Sequence, residues 1–180
     1  LNRRVFSPIE RQTYELRQKA LSQLQSDTIF KHYKNTSFNI IPLAGNKESR
    51  VYILTGPQEN GFVIFGNDYL LTFDKKLQLK DLKKLHNNVM FVEYGETEDG
   101  NEIVSSTHMH NETTGDFMTA TNICTLMLYG KITGWERHDV YSKNLYNTWN
   151  IKTESLFVLP MSTLRKINED QEKRGAEAEN

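Results

Sequence analysis

Residues 103–129, IVSSTHMHNETTGDFMTATNICTLMLY, decide the predicted fold because they pass from a strand pattern to a helical pattern across one short polar loop. The strand ends in His108-Met109-His110. Side chains alternate between the two faces of a strand, so the two histidines are expected to point to the same side. Their ring nitrogens can converge on one point, and a further ligand from the first turn of the next helix would complete a tetrahedral metal site.

The length of 180 residues predicts a single domain over residues 1–180, and a hydrophobic content of 37% predicts that it is soluble. The chain has 22 Lys and Arg and 23 Asp and Glu, for a net charge of −1, and these charges are interspersed. There is no basic stripe with aromatic residues, so nucleic acid is not an expected partner. No apolar run approaches the roughly 18 residues of a transmembrane helix. Because the chain starts with Leu1 rather than Met, we expect that an N-terminal segment has been lost, which fits an extracytoplasmic location.

Two helices flank the predicted sheet. Ser7-Pro8-Ile9-Glu10 combines a capping serine, a proline at the first helical position and a glutamate that can close a capping box. We therefore expect an N-terminal helical segment over residues 7–34, with its main helix at 8–25. Pro160 is expected to start a last helix at 161–167, and the charged tail at 168–180 is expected to fray.

The alternation of apolar residues predicts strands at 51–54, 62–65, 69–73, 89–94, 102–108, 138–142, 146–151 and 155–159. The run at 62–65 is apolar on both faces and is expected to be central in its sheet. Residues 75–85 are predicted to form a short helix or an irregular excursion. Asp116 or Thr119 can cap the helix after the His-x-His strand, and Gly130 is expected to end it.

The order of these elements predicts an α+β (α/β-like) fold with a mainly antiparallel mixed sheet. It has an N-terminal helix, a central helix directly after the His-x-His strand, and a C-terminal helix. The oligomeric state is not indicated by the sequence.

Two segments of the chain together resemble a metallopeptidase motif. His108-Met109-His110 and the TATN run at 119–122 are similar to the His-x-His…Ser-x-x-Asp motif of the JAB/MPN/JAMM zinc metallopeptidases, and the likeness extends over residues 50–160. The resemblance implies that His108, His110 and Asn122 bind zinc and that Thr119 helps to polarise the tetrahedral intermediate. It implies that Glu59, which leads an apolar strand, is the general acid/base. Such enzymes cleave amide or isopeptide bonds, so a protein or peptide substrate is expected.

Departures from the motif predict reduced or lost activity. Asn122 stands where the family has a charged aspartate, and a neutral amide oxygen binds zinc less well than a carboxylate. Asn111 replaces the proline that usually follows the second histidine. The alternative interpretation is a non-enzymatic interaction or binding domain of a secreted or surface-associated bacterial protein, in which the His-x-His pair is incidental.

Other side chains could complete an unconventional site, although a surface or capping role is the alternative for each: Glu112, Asp116, Asp68, His86 and His138. The single cysteine, Cys124, excludes an internal disulfide. It could be a nucleophile beside the histidines, but its place in an apolar helical run is more typical of a small buried hydrophobic residue.

Overall fold

The computed structural model describes residues 4–178. These residues form three helices and ten strands in mostly antiparallel sheets, which confirms the α+β class with N-terminal, central and C-terminal helices. Contacts divide the chain into two compact units, unit 1 up to Glu93 and unit 2 from Tyr94. The single-domain organisation expected from the length stays a prediction. Among the helices of residues 4–178, none is both long enough and apolar enough to cross a membrane.

Unit 1 contains one helix and six strands within its described residues: α1 (Pro8–Ser26), β1 (Thr36–Leu43), β2 (Ser49–Pro57), β3 (Phe62–Gly66), β4 (Tyr69–Phe73), β5 (Leu79–Lys84) and β6 (Val89–Glu93). Unit 2 contains two helices and four strands up to residue 178: β7 (Ser105–Met109), α2 (Ala120–Thr133), β8 (Arg137–Tyr141), β9 (Leu145–Asn150), β10 (Ser155–Pro160) and α3 (Met161–Ala178).

In unit 1, helix α1 covers a four-stranded antiparallel sheet of order β1-β2-β4-β5. The helix begins as predicted, because Ser7 accepts a hydrogen bond from the backbone N–H of Glu10 and the Glu10 carboxylate accepts one from the N–H of Ser7. Its buried residues Leu16 and Ala20 pack into the core of the sheet. The helix ends at Ser26, so the helical segment expected to reach residue 34 is shorter than predicted.

Two predictions for the strands of unit 1 are wrong. Residues 79–84 form strand β5 rather than a helix or an excursion, paired with β4 at the edge of the sheet. Strand β3 is not central, since among the described strands it pairs with β6 alone. Apolar residues on both faces of a strand indicate that both faces are buried, and Val63 and Ile64 are indeed buried. Such residues do not determine how many strands pair with the edges of that strand.

In unit 2, the four strands form a sheet of order β10-β9-β8-β7 in which β7 and β8 run parallel. A parallel pair needs a crossover connection, and α2 provides it. The helix runs past Gly130 to Thr133 and ends at Gly134, whose φ of +75° is left-handed. The predicted end at Gly130 is therefore wrong. Gly130 instead allows a close approach, because a Cβ there would lie 2.8 Å from Cδ1 of Ile151.

The last helix is longer than the sequence indicates. Strand β10 ends at Pro160, and α3 follows directly and continues to Ala178. Residues 168–178 are thus helical where a frayed tail was expected, while residues 179–180 lie outside the described residues. The run is rich in Glu, Lys, Arg and Ala, which have high intrinsic helix propensity, and this explains the extension.

Candidate functional site

Three histidines of unit 2 lie together on the face of the parallel β7–β8 pair. The register places Ser106 beside His138 and His108 beside Val140. Ser106 and His108 are both buried on β7, while the intervening Thr107 is exposed, as alternation requires. His110 follows β7 directly, and its backbone N–H donates to the carbonyl oxygen of Tyr141 at 2.7 Å, which continues the ladder.

The rings of His108 and His110 lie side by side, as the strand pattern predicts. Their centroids are 5.0 Å apart, and both residues are buried. His138 joins them from β8: its Nε2 lies 2.8 Å from Nδ1 of His108, and its Nδ1 lies 2.6 Å from Oγ of Ser106. The side chains of Ser106, His138 and His108 therefore form a hydrogen-bonded chain.

His138 is neutral at physiological pH. Burial lowers its pKa from 6.5 to about 3, and the neighbouring His110 acts in the same direction. Its ring is fully buried and stacks on Trp135, with centroids 5.9 Å apart. A neutral imidazole has one N–H and one lone pair, so His138 donates one hydrogen bond and accepts the other.

Thr119 and Asn122 cap helix α2. Thr119 is the N-cap, which settles the choice left open between it and Asp116. Its Oγ1 accepts from the backbone N–H of Asn122 at 3.2 Å. In return, Oδ1 of Asn122 accepts from the backbone N–H and from the hydroxyl of Thr119, at 3.1 and 2.6 Å. The amide oxygen that the resemblance assigns to a metal is thus already engaged in the cap.

Asn147 on β9 fixes the loop between β7 and α2, and no local pattern in the sequence predicts this role. Its Oδ1 accepts from the backbone N–H of Met118 at 3.2 Å, and its Nδ2 donates to the carbonyl oxygen of Asp116 at 2.8 Å. Asn147 has no exposed surface. The side-chain carboxylate of Asp116 accepts from Asn144, and this hydrogen bond lowers its pKa. Asp116 is therefore a loop-fixing group.

Glu59 lies in unit 1, in the exposed turn between β2 and β3. Its carboxylate accepts a hydrogen bond from Nδ2 of Asn35 at 2.6 Å. The role of general acid/base, which the resemblance implies for it, stays a prediction.

The other sequence candidates fall into separate places. In unit 1, Nδ1 of His86 lies 2.7 Å from the buried carboxylate of Asp68. The exposed Glu112 carboxylate pairs with Lys143. Cys124 is half-buried on α2, and burial raises the pKa of its thiol, which favours the protonated and poorly nucleophilic form.

The histidine cluster does not form a recognisable metal site with other side chains of the described residues. Within residues 4–178, no group of three or more His, Cys, Asp or Glu side chains is arranged to hold a metal ion. The ring of His108 adjoins the rings of His110 and His138. Neutral imidazole ligands do not offset the charge of a metal ion.

No protein-family model, no curated protein and no solved structure matches this chain.

Proposed function

We propose that unit 2 carries a divergent JAMM-like metal site and that the protein is a metal-dependent amide or isopeptide hydrolase of weakened activity. His108 and His110 hold the zinc ion. The observation that supports this most directly is the pair of buried, adjacent imidazoles, one of which is hydrogen-bonded at its second ring nitrogen. Histidines that bind metals almost always have such an outer partner, which fixes the ring and its tautomer.

The weakness of the proposed activity follows from the ligand set. A bound zinc ion would supply a water of lowered pKa for attack on a carbonyl carbon. His108 and His110 would orient it through neutral nitrogens, and Asn122 would add at most a neutral oxygen that also serves the cap. Fewer and uncharged ligands bind the ion less tightly than a set that contains a carboxylate. The proposed roles of Thr119 as polarising group and Glu59 as acid/base derive from the resemblance alone.

Zinc stoichiometry tests the proposal. Protein purified without a metal-affinity column, equilibrated with Zn²⁺ and then gel-filtered, should contain one zinc per chain by elemental analysis. The double variant His108→Ala/His110→Ala should lose it. His32→Ala, which removes an exposed histidine of unit 1, is the matched control and should keep it. Equal zinc in the wild type and the double variant would rule out the site.

A non-enzymatic binding domain is the second candidate. The capping contacts of Thr119 and Asn122 favour it, because they give both residues a structural role that needs no metal. This candidate predicts no stoichiometric zinc in the wild type and no cleavage of peptide or isopeptide substrates.

A further inference from the structure

We propose that the outward face of helix α2 is the contact surface for a second copy of this chain, with the two α2 helices packed antiparallel. This surface, the α2 face, consists of Ala120, Cys124, Met127, Leu128, Lys131 and Ile132. The inference goes beyond the proposed function and does not depend on whether a metal ion is bound.

Helix α2 buries mostly polar or small residues and exposes apolar ones, the reverse of an ordinary surface helix. Its buried residues are Thr121, Asn122, Thr125, Leu126, Gly130 and Thr133. In contrast, Met127, Leu128 and Ile132 are 53%, 48% and 62% exposed. A helix that is apolar on its outer side as well is typical of one that is covered on that side.

The exposed residues form one continuous patch. Residues four apart are neighbours on a helix surface, so Ala120, Cys124, Leu128 and Ile132 follow one another in a single row. Met127 lies beside this row, since it is three residues from Cys124. Single apolar residues at a surface are ordinary, whereas a contiguous apolar patch indicates a binding surface.

The α2 face has almost no charge with which to select a partner. Lys131 is the only charged residue of α2, and its ammonium group lies 2.7 Å from the carboxylate of Glu154 in the same chain. A strongly acidic or basic partner would be recognised by a patch of the opposite charge. The face therefore fits another uncharged apolar surface, and a second copy supplies one.

The shape of the row favours antiparallel pairing with a second copy. Ala120 and Cys124 at its start are small, and Leu128 and Ile132 at its end are large. In an antiparallel pair related by a two-fold axis, Leu128 of each copy lies over Cys124 of the other, and Ile132 lies over Ala120. Large side chains of one helix then fill the grooves of the other, which is how helices pack. The two-fold axis makes each contact occur twice, so the face is complementary to itself.

The size of the α2 face determines how strong the dimer can be. Helix α2 has 14 residues. It is therefore about 21 Å long, and half of its lateral surface amounts to about 400 Å². A standard stable interface buries about 800 Å² on each partner. We therefore expect a weak dimer, with a dissociation constant of about 10 to 100 µM.

Sedimentation velocity of the full chain over a concentration series that spans this range tests the proposal. The wild type should pass from monomer to dimer. Leu128→Glu should remain monomeric throughout, because it places a charge in an apolar contact. Position 128 is exposed in the single chain, so the variant should keep the circular dichroism spectrum of the wild type. Ile9→Glu, at an exposed position of α1, is the matched control and should dimerise like the wild type.

Cys124 can locate the contact because it is the single cysteine of the chain. In the antiparallel pair the two Cys124 Cα atoms are about 10 Å apart, given a rise of about 1.5 Å per residue and helix axes about 8–10 Å apart. A bis-maleimide of matching length should therefore link the wild type into covalent dimers and should not link Leu128→Glu.

Three results would overturn the proposal. The first is a wild type that stays monomeric at the highest concentration. The second is a dimer that persists in Leu128→Glu or that the bis-maleimide does not link, which would place the contact elsewhere. The third is a monomeric wild type that binds vesicles of neutral phospholipid while Leu128→Glu does not, which would make the α2 face a membrane contact instead.

Discussion

At the scale of single residues, Asn122 shows how one side chain can meet two requirements to different degrees. As a cap it is complete, because Oδ1 accepts two hydrogen bonds from Thr119. As the zinc ligand that the resemblance implies, it would lack charge. An aspartate would retain the acceptor oxygen, and its charge would interact favourably with the helix N-terminus.

Asn122→Asp is therefore expected to raise Zn²⁺ affinity at least about 10-fold without loss of thermal stability, because a carboxylate adds charge at the metal and keeps the cap. Isothermal titration calorimetry and thermal unfolding of the metal-free protein measure the two effects. Asn122→Ala, the control, should cost about 1 kcal/mol through the loss of the capping contacts. Unchanged Zn²⁺ affinity in the aspartate variant would show that position 122 does not face the metal.

The buried His138 makes the stability of unit 2 depend on pH. Its pKa falls from 6.5 to about 3 on folding, chiefly through burial, so between these values the unfolded chain binds more protons than the folded one. The folded state therefore has its full stability, as far as His138 is concerned, above pH 6.5, and it loses stability as the pH falls below that value. At about pH 5 the loss is about 2 kcal/mol. Urea unfolding of the metal-free protein at about pH 7.5 and about pH 5 should show it.

His138→Phe is the comparison that isolates this effect, because the variant cannot be protonated at position 138. Its stability should change less between the two pH values than that of the wild type. The same pH dependence in both proteins would mean that other groups are responsible.

Among the helices and strands, β1 was not predicted, and β5 was predicted as a helix or an irregular excursion. These two strands are the edges of the four-stranded sheet of unit 1. Strand β1 contains Pro42, and β5 has the sequence LKDLKK. Proline and lysine are common at sheet edges because they discourage pairing with further chains, and they also hide the apolar alternation from which strands are predicted. The inner strands β2 and β4 carry that alternation and were predicted.

The sequence predicts the parts of the candidate site that depend on local strand alternation, but not those that depend on the pairing of distant strands. His108 and His110 are neighbours along one strand, so alternation alone predicts that they meet. His138 was only one of several alternatives, because its contact with His108 depends on the parallel pairing of β7 and β8 across a whole helix. The Asn147 contacts depend on β9 lying beside β8, and no local pattern reports them.

Gly130 provides a prediction about helix α2. A side chain there would meet Ile151 at 2.8 Å from Cδ1 and 3.3 Å from Cγ2, so Gly130→Val should destabilise the protein by about 2 kcal/mol through overpacking. A Cβ at Gly175 of α3 would meet no atom within 4 Å, and Gly175→Val is the matched control with an expected effect near zero. Chemical denaturation measures both changes. A neutral Gly130→Val would show that α2 does not pack closely on Ile151.

Across the whole chain, both units bury polar groups beside their apolar residues. Unit 1 has a large apolar core under α1 and also buries Asn67 and Asp68. The buried polar residues of unit 2 include Ser106, His108, His138 and Asn147. Burying a polar group costs free energy unless the group is hydrogen-bonded. The side chains of Ser106, His108, His138 and Asn147 all form hydrogen bonds, which offset this cost. Unit 2 therefore holds the buried histidines on which the proposed function depends.

Both tryptophans of the chain lie in unit 2, which makes fluorescence a selective probe of it. Trp135 and Trp149 are buried, so their emission reports the unfolding of the unit that holds the histidines. A ligand that binds only the folded state stabilises it by about 2.7 kcal/mol at about 100 times its dissociation constant. Zn²⁺ at that concentration should shift the fluorescence-detected urea transition by this amount, and a chelator should reverse the shift. The double variant His108→Ala/His110→Ala should unfold at the same urea concentration with and without Zn²⁺, because it lacks the two imidazoles that are proposed to bind the ion. If Zn²⁺ still shifts the unfolding transition of this variant, the ion binds elsewhere.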